Sequence, residues 1–321
     1  MEEDEEEEIG ESNKGVIIRI LGEKDGSVSS SLSGKSSSGT SSSGSLKGKA
    51  SPFLNDFSIS DAKLLPLAAK MRMNTPARQA IFIAIMGADD ADAAIERILR
   101  LDLKGPAERE IIRVLLDCCA QEAKYNEFYD SVCSSLCTLR PSFKFTVQLA
   151  LWDLFKLFGD EQHASQRRVY NLAMLLSNLI LGNIVSLTIL KPLEAGGGEA
   201  GGSSEDGDVV LASETGLFFT KALISAILSK AKSPSDVERV FEKCGGSGAD
   251  RSVIRDSLSI FVQKHIKAKK LVAYSNLPMS DALKRIKAAI NALDSVRDLS
   301  MSSAYDDDIT NRSKRKKARI L

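Results

Sequence analysis

Histidine and tryptophan are almost missing from this chain: there are two His and one Trp in 321 residues. His163 and His265 lie in separate polar, basic stretches, QHASQRR and QKHIKAKK. Neither has a partner constellation for acid–base or nucleophilic work, so both read as exposed helix residues. Cysteine is sparse and odd in number: Cys118, Cys119, Cys133, Cys137 and Cys244. Adjacent cysteines do not easily pair with each other. An acidic run follows Met1 where a secretory leader would be apolar, so reduced thiols in an intracellular protein are expected. Cys133 and Cys137 share a helical face, but they sit in apolar stripes and lack the close knuckles of structural zinc. Core packing is the expectation for them. The glycine-rich GEAGG and GGSG follow no strand and precede no Lys-Ser/Thr, so they are linkers and not phosphate loops. These absences leave no catalytic residue, no metal, no cofactor and no small-molecule substrate to expect.

Net charge is also absent, with 43 basic and 43 acidic side chains, but the balance conceals a strong asymmetry. Residues 1–26 carry ten acidic and three basic side chains, a net of −7. Residues 251–321 carry sixteen basic and seven acidic, a net of +9. One end therefore solvates or competes, and the other seeks anions. Residues 1–58 are acidic and then Ser/Gly-rich, a composition that cannot bury a core. Within them, GVIIRIL at 15–21 reads as a short strand or a partner-binding segment. The remainder is long enough for one large helical domain or two small ones.

Helical signals then follow one another at short intervals. Thr75 is an N-cap with Pro76 at the first helical position. Ile81, Phe82, Ile85 and Met86 mark one face, and Gly87 stops the helix. Asp89 or Asp90 caps a second helix with the stripe Ile95, Ile98, Leu99. Gly105-Pro106 starts a third, facing inward with Ile111, Ile112, Leu115, Leu116 and Cys119. Asn126 opens a fourth, with Phe128, Val132 and Leu136. Pro141 opens a fifth, with Phe145, Leu149, Trp152 and Phe155. A sixth covers 162–181. The stretch 194–208, EAGGGEAGGSSEDGD, is a flexible insertion. Helices resume at Ser213, at Ser233-Pro234, over 250–269 and over 279–298, the last with Leu283, Ile286, Ile290 and Leu293 inward. Short connections force antiparallel neighbours. The expected fold is all-α: HEAT-like stacked antiparallel helical hairpins, divergent in sequence, between disordered tails.

One stretch imitates a membrane span. No charge occurs in the twenty-two residues from Val169 to Leu190, long enough to cross a bilayer. Asn171, Ser177, Asn178 and Asn183 interrupt it. Leu172, Leu175, Leu176, Leu179 and Ile180 recur as the stripe of a one-sided buried helix. No membrane segment is expected.

Candidate surfaces come from charge. Asp89, Asp90 and Asp92 cluster at the second helix start, and Glu108, Glu110 and Asp117 lie on the third helix. Acidic residues at a helix N-terminus stabilise the dipole; they can equally form an acidic rim for a basic partner. Lys314, Arg315, Lys316, Lys317 and Arg319 form a compact basic run suited to an import receptor or to RNA phosphate. Lys264, Lys267, Lys269 and Lys270 add a basic stripe on a helix end. No aromatic residues are interleaved for base stacking, so RNA contact would be backbone-directed and salt-sensitive.

The run from Arg72 to Asp153 contains RMNT, then IF and IM, then EREIIRVLLDCCAQEAKYNEFY, then Phe145, Gln148, Trp152 and Asp153. This order, with SLTILKPLE at 186–194, resembles the MI (MA-three) domain of the nucleolar suppressor-of-glycerol-defect family, whose animal members are nucleolar proteins with a middle-of-4G domain. The resemblance covers residues 63–270. It implies an MI domain at 70–193, a C-terminal helical extension at 209–298 and a basic tail at 299–321. It implies a nucleolar, non-enzymatic adaptor in small ribosomal subunit biogenesis and pre-rRNA processing. The implied partners are a DEAD-box RNA helicase of the initiation-factor 4A type and pre-ribosomal RNA or particles. Two other roles known for such proteins are a translational regulator that binds the initiation-factor 4A helicase, and a phosphatase-targeting scaffold. The latter needs a basic-Val-x-Phe motif, and Arg239-Val240-Phe241 lacks the spacer. The chain departs from the family in having acidic and Ser/Gly-rich sequence where the middle-of-4G domain is expected. The Gly-rich insertion and Glu127, in place of the usual proline of YNPFY, also depart from it. It thus reads as a truncated or short form.

Overall fold

The computed structural model describes residues 61, 63–159, 165–194, 214–244 and 249–294. The GVIIRIL segment, His163, the Gly-rich stretch from residue 195 and the basic run at Lys314–Arg319 lie outside them. Among the described residues every regular element is helical and no strand occurs. No described helix is long and apolar enough to cross a membrane. The chain divides into two compact units, Met1–Ala123 and Lys124–Leu321.

The first unit contains α1 (Leu65–Lys70), α2 (Pro76–Met86), α3 (Ala91–Arg100) and α4 (Pro106–Gln121). Their starts follow from capping chemistry. The Thr75 side chain accepts from the Arg78 amide, and Asp90 accepts from the Ala93 amide at 2.7 Å. Each cap is worth about 1 kcal/mol. Helix α2 is buried from Ala80 to Met86 without interruption and packs on α1, α3 and α4. In α3 only Ile95 and Ile98 of the expected stripe are buried, whereas Leu99 is 41% exposed. The whole expected face of α4 is buried. Gly87 ends α2 in right-handed backbone, not the left-handed cap usual for glycine. Its reason is room. A Cβ there would lie 2.6 Å from Asp61 Oδ1 and 2.8 Å from both Arg97 Nη2 and the Ile83 carbonyl. Arg97 spans this gap, pairing with Asp61 at 2.8 Å and donating to the Gly87 carbonyl at 2.9 Å.

The second unit contains α5 (Phe128–Leu139), α6 (Ser142–Lys156), α7 (Gln166–Leu181) and the short α8 (Lys191–Glu194), followed by α9 (Glu214–Lys230), α10 (Pro234–Glu242), α11 (Ala249–His265) and α12 (Ala268–Tyr274). A last helix, α13, covers 279–294. Helix α7 is the centre: α9 packs along it, and α5 and α10 also touch it. It is not the one-sided helix its leucine spacing suggests. Asn171, Ala173, Met174 and Ser177 are buried as well as the leucines. A helix so enclosed tolerates Ser177 because its hydroxyl donates to the Met174 carbonyl at 2.7 Å.

Two more faces differ from expectation. In α6 the buried apolar side chains are Phe143, Val147, Ala150, Leu151 and Phe155, whereas Phe145 is 61% exposed. This helix is apolar on two faces, and the spacing of Phe145, Leu149 and Trp152 picks out the outer one. In α13 the inward residues are chiefly alanines, Ala282, Ala288, Ala289 and Ala292, with Leu293; Leu283 is 54% exposed. Small residues let this helix approach closely enough for Arg285 to reach the C-terminal end of α9. Its Nη1 donates to the carbonyls of Leu228 and Ser229 at 2.7 and 3.0 Å. A guanidinium there satisfies acceptors at a helix C-terminus and complements the dipole. The expected helix over 250–269 is broken at Ile266–Lys267 into α11 and α12.

Candidate functional site: the signature residues and the acidic edge

The sequence elements that carry the family resemblance turn out to be stitching between helices. Asp117 of α4 accepts from Arg78 Nη2 of α2 at 2.6 Å, and Glu110 lies 3.7 Å from Arg78 Nε. Cys118 and Cys119 beside it are fully buried. Burial, reinforced by Asp117 and Glu122, pushes the Cys118 thiol well above its ordinary range. It is therefore kept as an inert thiol. All five cysteines are buried and none forms a disulfide. Burial also raises Cys244, to about 12. Cys137 goes the other way, because the Cys133 side chain hydrogen-bonds to it one helical turn away.

The YNxFY element works as a clasp at the entry of α5. The Asn126 side chain accepts from the Phe128 amide at 3.0 Å, an Asx turn that sets the first helical turn. Tyr129 is 2% exposed and stacks edge-on against Phe128, with ring centroids 5.3 Å apart. The Tyr125 hydroxyl donates to Asp130 and accepts from Asn178 Nδ2 at 2.9 Å. Asn178 in turn accepts from Lys230 Nζ at 2.9 Å, and that ammonium lies 5.1 Å from the Tyr125 ring centroid. One polar chain thus ties α5, the middle helix α7 and the end of α9. Burial raises the Asp130 carboxyl despite the bonds from Tyr125 and Asn178. Burial also lowers the Lys230 ammonium, against the pull of Glu127 and Asp130. The two shifts share one cause, partial removal from water, and each charge is tolerated only because the network is complete. Sequence reading missed this network because its hydrogen-bonded partners lie up to 53 residues apart; only the clustering of Tyr, Asn and Asp at 125–130 hinted at it.

Trp152 serves the same end. Its Nε1 donates to the Ile189 carbonyl at 2.9 Å, fastening α6 to the turn Leu187–Leu190. Asp153 pairs locally with Lys156 at 3.1 Å.

The acidic candidates separate into two groups. Glu110 and Asp117 face Arg78, and Glu110 also pairs with Arg113 at 3.0 Å, so their charge is compensated within the first unit. Asp89, Asp90 and Asp92 are exposed at the start of α3, where Asp90 is the capping residue. Glu108 is half-buried in the first turn of α4. On the basic side, Lys264, Lys267, Lys269 and Lys270 are exposed around the α11–α12 break, while His265 is half-buried with its ring 4.9 Å from Phe261. The described residues thus present a carboxylate edge in the first unit and a lysine corner in the second.

Residues 77–186 match a family profile described as the MA3 domain, with which the all-helical arrangement is consistent. The chain is 42% identical over 133 residues to Nucleolar MIF4G domain-containing protein 1 of Homo sapiens, covering 41% of this chain and 15% of that protein. It is 38% identical over 136 residues to the Mus musculus protein of the same name, covering 42% of this chain and 16% of that protein. It is 31% identical over 230 residues to Suppressor of glycerol defect protein 1 of Schizosaccharomyces pombe, covering 69% of this chain and 28% of that protein. The chain therefore spans under a third of the length of these relatives. The fold and its stitching define an MA3 module, a helical domain of a class that binds helicases of the initiation-factor 4A type and is generally non-enzymatic. The chain carries an MA3 domain and is homologous to the nucleolar MIF4G domain-containing and suppressor-of-glycerol-defect proteins, whose names support a nucleolar location.

Proposed function

We propose that this chain is a non-enzymatic adaptor in small ribosomal subunit biogenesis and pre-rRNA processing. Its MA3 module holds a DEAD-box RNA helicase of the initiation-factor 4A type, and its basic segments contact pre-ribosomal RNA through the phosphate backbone. The observation that carries this reading is the MA3 match together with relatives named as nucleolar. Chemistry is consistent with it. The exposed carboxylates Asp89, Asp90 and Asp92 suit the basic surface of an RNA-handling enzyme. The lysine corner from Lys264 to Lys270 suits an anionic backbone. The basic run Lys314, Arg315, Lys316, Lys317 and Arg319 suits an import receptor or RNA.

Depletion in cells tests the role. Precursors of the small-subunit rRNA should accumulate while large-subunit precursors keep their normal level, as read by hybridisation of total RNA. Unchanged small-subunit precursors on full depletion would contradict the proposal. Loss of both sets equally would place the chain upstream of the branch.

A further inference from the structure

Phe145, on the outer face of α6, lines with Pro141, Lys144 and Gln148 one wall of a groove of ≈ 460 Å³ within the second unit. The opposite wall is the turn at 183–189, where Ile184 and Val185 are half-buried. Phe145 stands in it with 61% of its surface exposed. Two charged side chains line the groove, Lys144 and Lys243; no carboxylate does. No described carboxylate pairs with Lys144.

The walls are fixed. Trp152 Nε1 holds the Ile189 carbonyl at 2.9 Å, and the hydroxyls of Ser186 and Thr188 share a hydrogen bond of 2.5 Å. Asn183 sits at φ 59°, a left-handed conformation uncommon for a residue with a side chain. The Lys243 ammonium holds its Oδ1. A groove already shaped in this way costs little to order on binding.

We infer that this groove is a docking site for an acidic peptide segment of a partner protein, with one aromatic or branched apolar side chain seated against Phe145, Ile184 and Val185. The apolar walls select the anchor, and the two lysines select carboxylates on either side of it. The volume suits a few side chains. Nucleic acid is the poorer fit, because two cations and one exposed ring provide neither a tracking groove nor a stacking platform. Its charge is opposite to that of the acidic edge at Asp89–Asp92. A partner here would therefore differ from one held by that edge.

The test is selection of a random short-peptide library displayed on phage against the immobilised full chain, followed by fluorescence anisotropy of the winning peptides. The expected winners carry Phe, Trp or Leu flanked by Asp or Glu, and bind more weakly as salt is raised. Phe145→Ala and Lys144→Glu should each weaken them by about tenfold or more. Both side chains lie outside the core, so melting temperatures should match the parent chain and separate lost binding from lost folding. The inference is overturned if no peptide is enriched, if the winners are basic, or if both variants bind as the parent does. It is also overturned if binding appears only after the acidic residues 2–8 are replaced by Gly and Ser, which would assign the groove to the chain itself.

Discussion

Phe219→Ala should lower the unfolding free energy of the second unit by about 3–5 kcal/mol. Phe219 is 0% exposed, and its ring centroid lies 5.2 Å from Phe155 and 5.4 Å from Phe158. Those two rings in turn lie 5.3 Å apart. Truncation removes one corner of a closed triangle of rings and leaves a cavity lined by the other two, which aromatic neighbours cannot fill by small shifts. Phe219 belongs to α9, which begins beyond the 77–186 match to the MA3 profile. The same helix covers α7 along much of its length. Phe219→Leu, which refills most of the volume, should cost far less. Urea unfolding of the full chain followed by circular dichroism measures both. A loss under about 1 kcal/mol for Phe219→Ala would mean that α9 is an appendage rather than part of the same core.

A second large effect is expected from the YNxFY element. Tyr129→Ala should cost about 3–5 kcal/mol, because the side chain is nearly fully enclosed and stacks on Phe128. Tyr125→Phe should cost about 1–2 kcal/mol. It keeps the ring that faces Lys230 but removes the hydroxyl between Asp130 and Asn178. Two tyrosines four residues apart thus act by different physics, one by volume and one by a single oxygen. Equilibrium unfolding of the two variants should reproduce that order. Equal and small losses would show that the element is on the surface for a partner and not in the framework.

Helix starts were legible wherever a short side chain captures an amide three residues on, as at Thr75, Asp90 and Ser233. That chemistry is local, so sequence contains it. The inward faces of α4 and α10 were legible because each helix has one apolar stripe, with Ile112, Leu115 and Cys119 in one and Val237, Val240 and Phe241 in the other. The inward face of α6 was not, because Phe143, Val147 and Leu151 compete with Phe145, Leu149 and Trp152 and spacing cannot rank two stripes. Helix α13 failed for the opposite reason: alanines carry a weak hydrophobic signal although they pack closest. The break at Ile266–Lys267 has no Gly or Pro to announce it. The charged pairs Asp61–Arg97 and Arg78–Asp117, and the Lys230 network, join residues 36 to 53 positions apart; such pairs are set by packing and leave no local trace. For the candidate surface, sequence grouped Asp89, Asp90, Glu108, Glu110 and Asp117 together. The structure separates Glu110 and Asp117, which serve Arg78, from the exposed carboxylates at the start of α3.

The central claim is that the MA3 module is a partner-binding surface whose signature residues build the frame while exposed carboxylates make the contact. The most direct measurement is isothermal titration of the purified full chain with a nucleolar DEAD-box helicase, repeated with Asp89→Lys and Asp92→Lys together. Neither residue caps the helix, so the fold should be kept, and a melting curve checks that it is. The account predicts saturable binding to the parent chain, weakened by raised salt and reduced about tenfold or more by the double charge reversal. Binding that is unchanged by the reversal, or no binding by the well-folded parent chain, would contradict it.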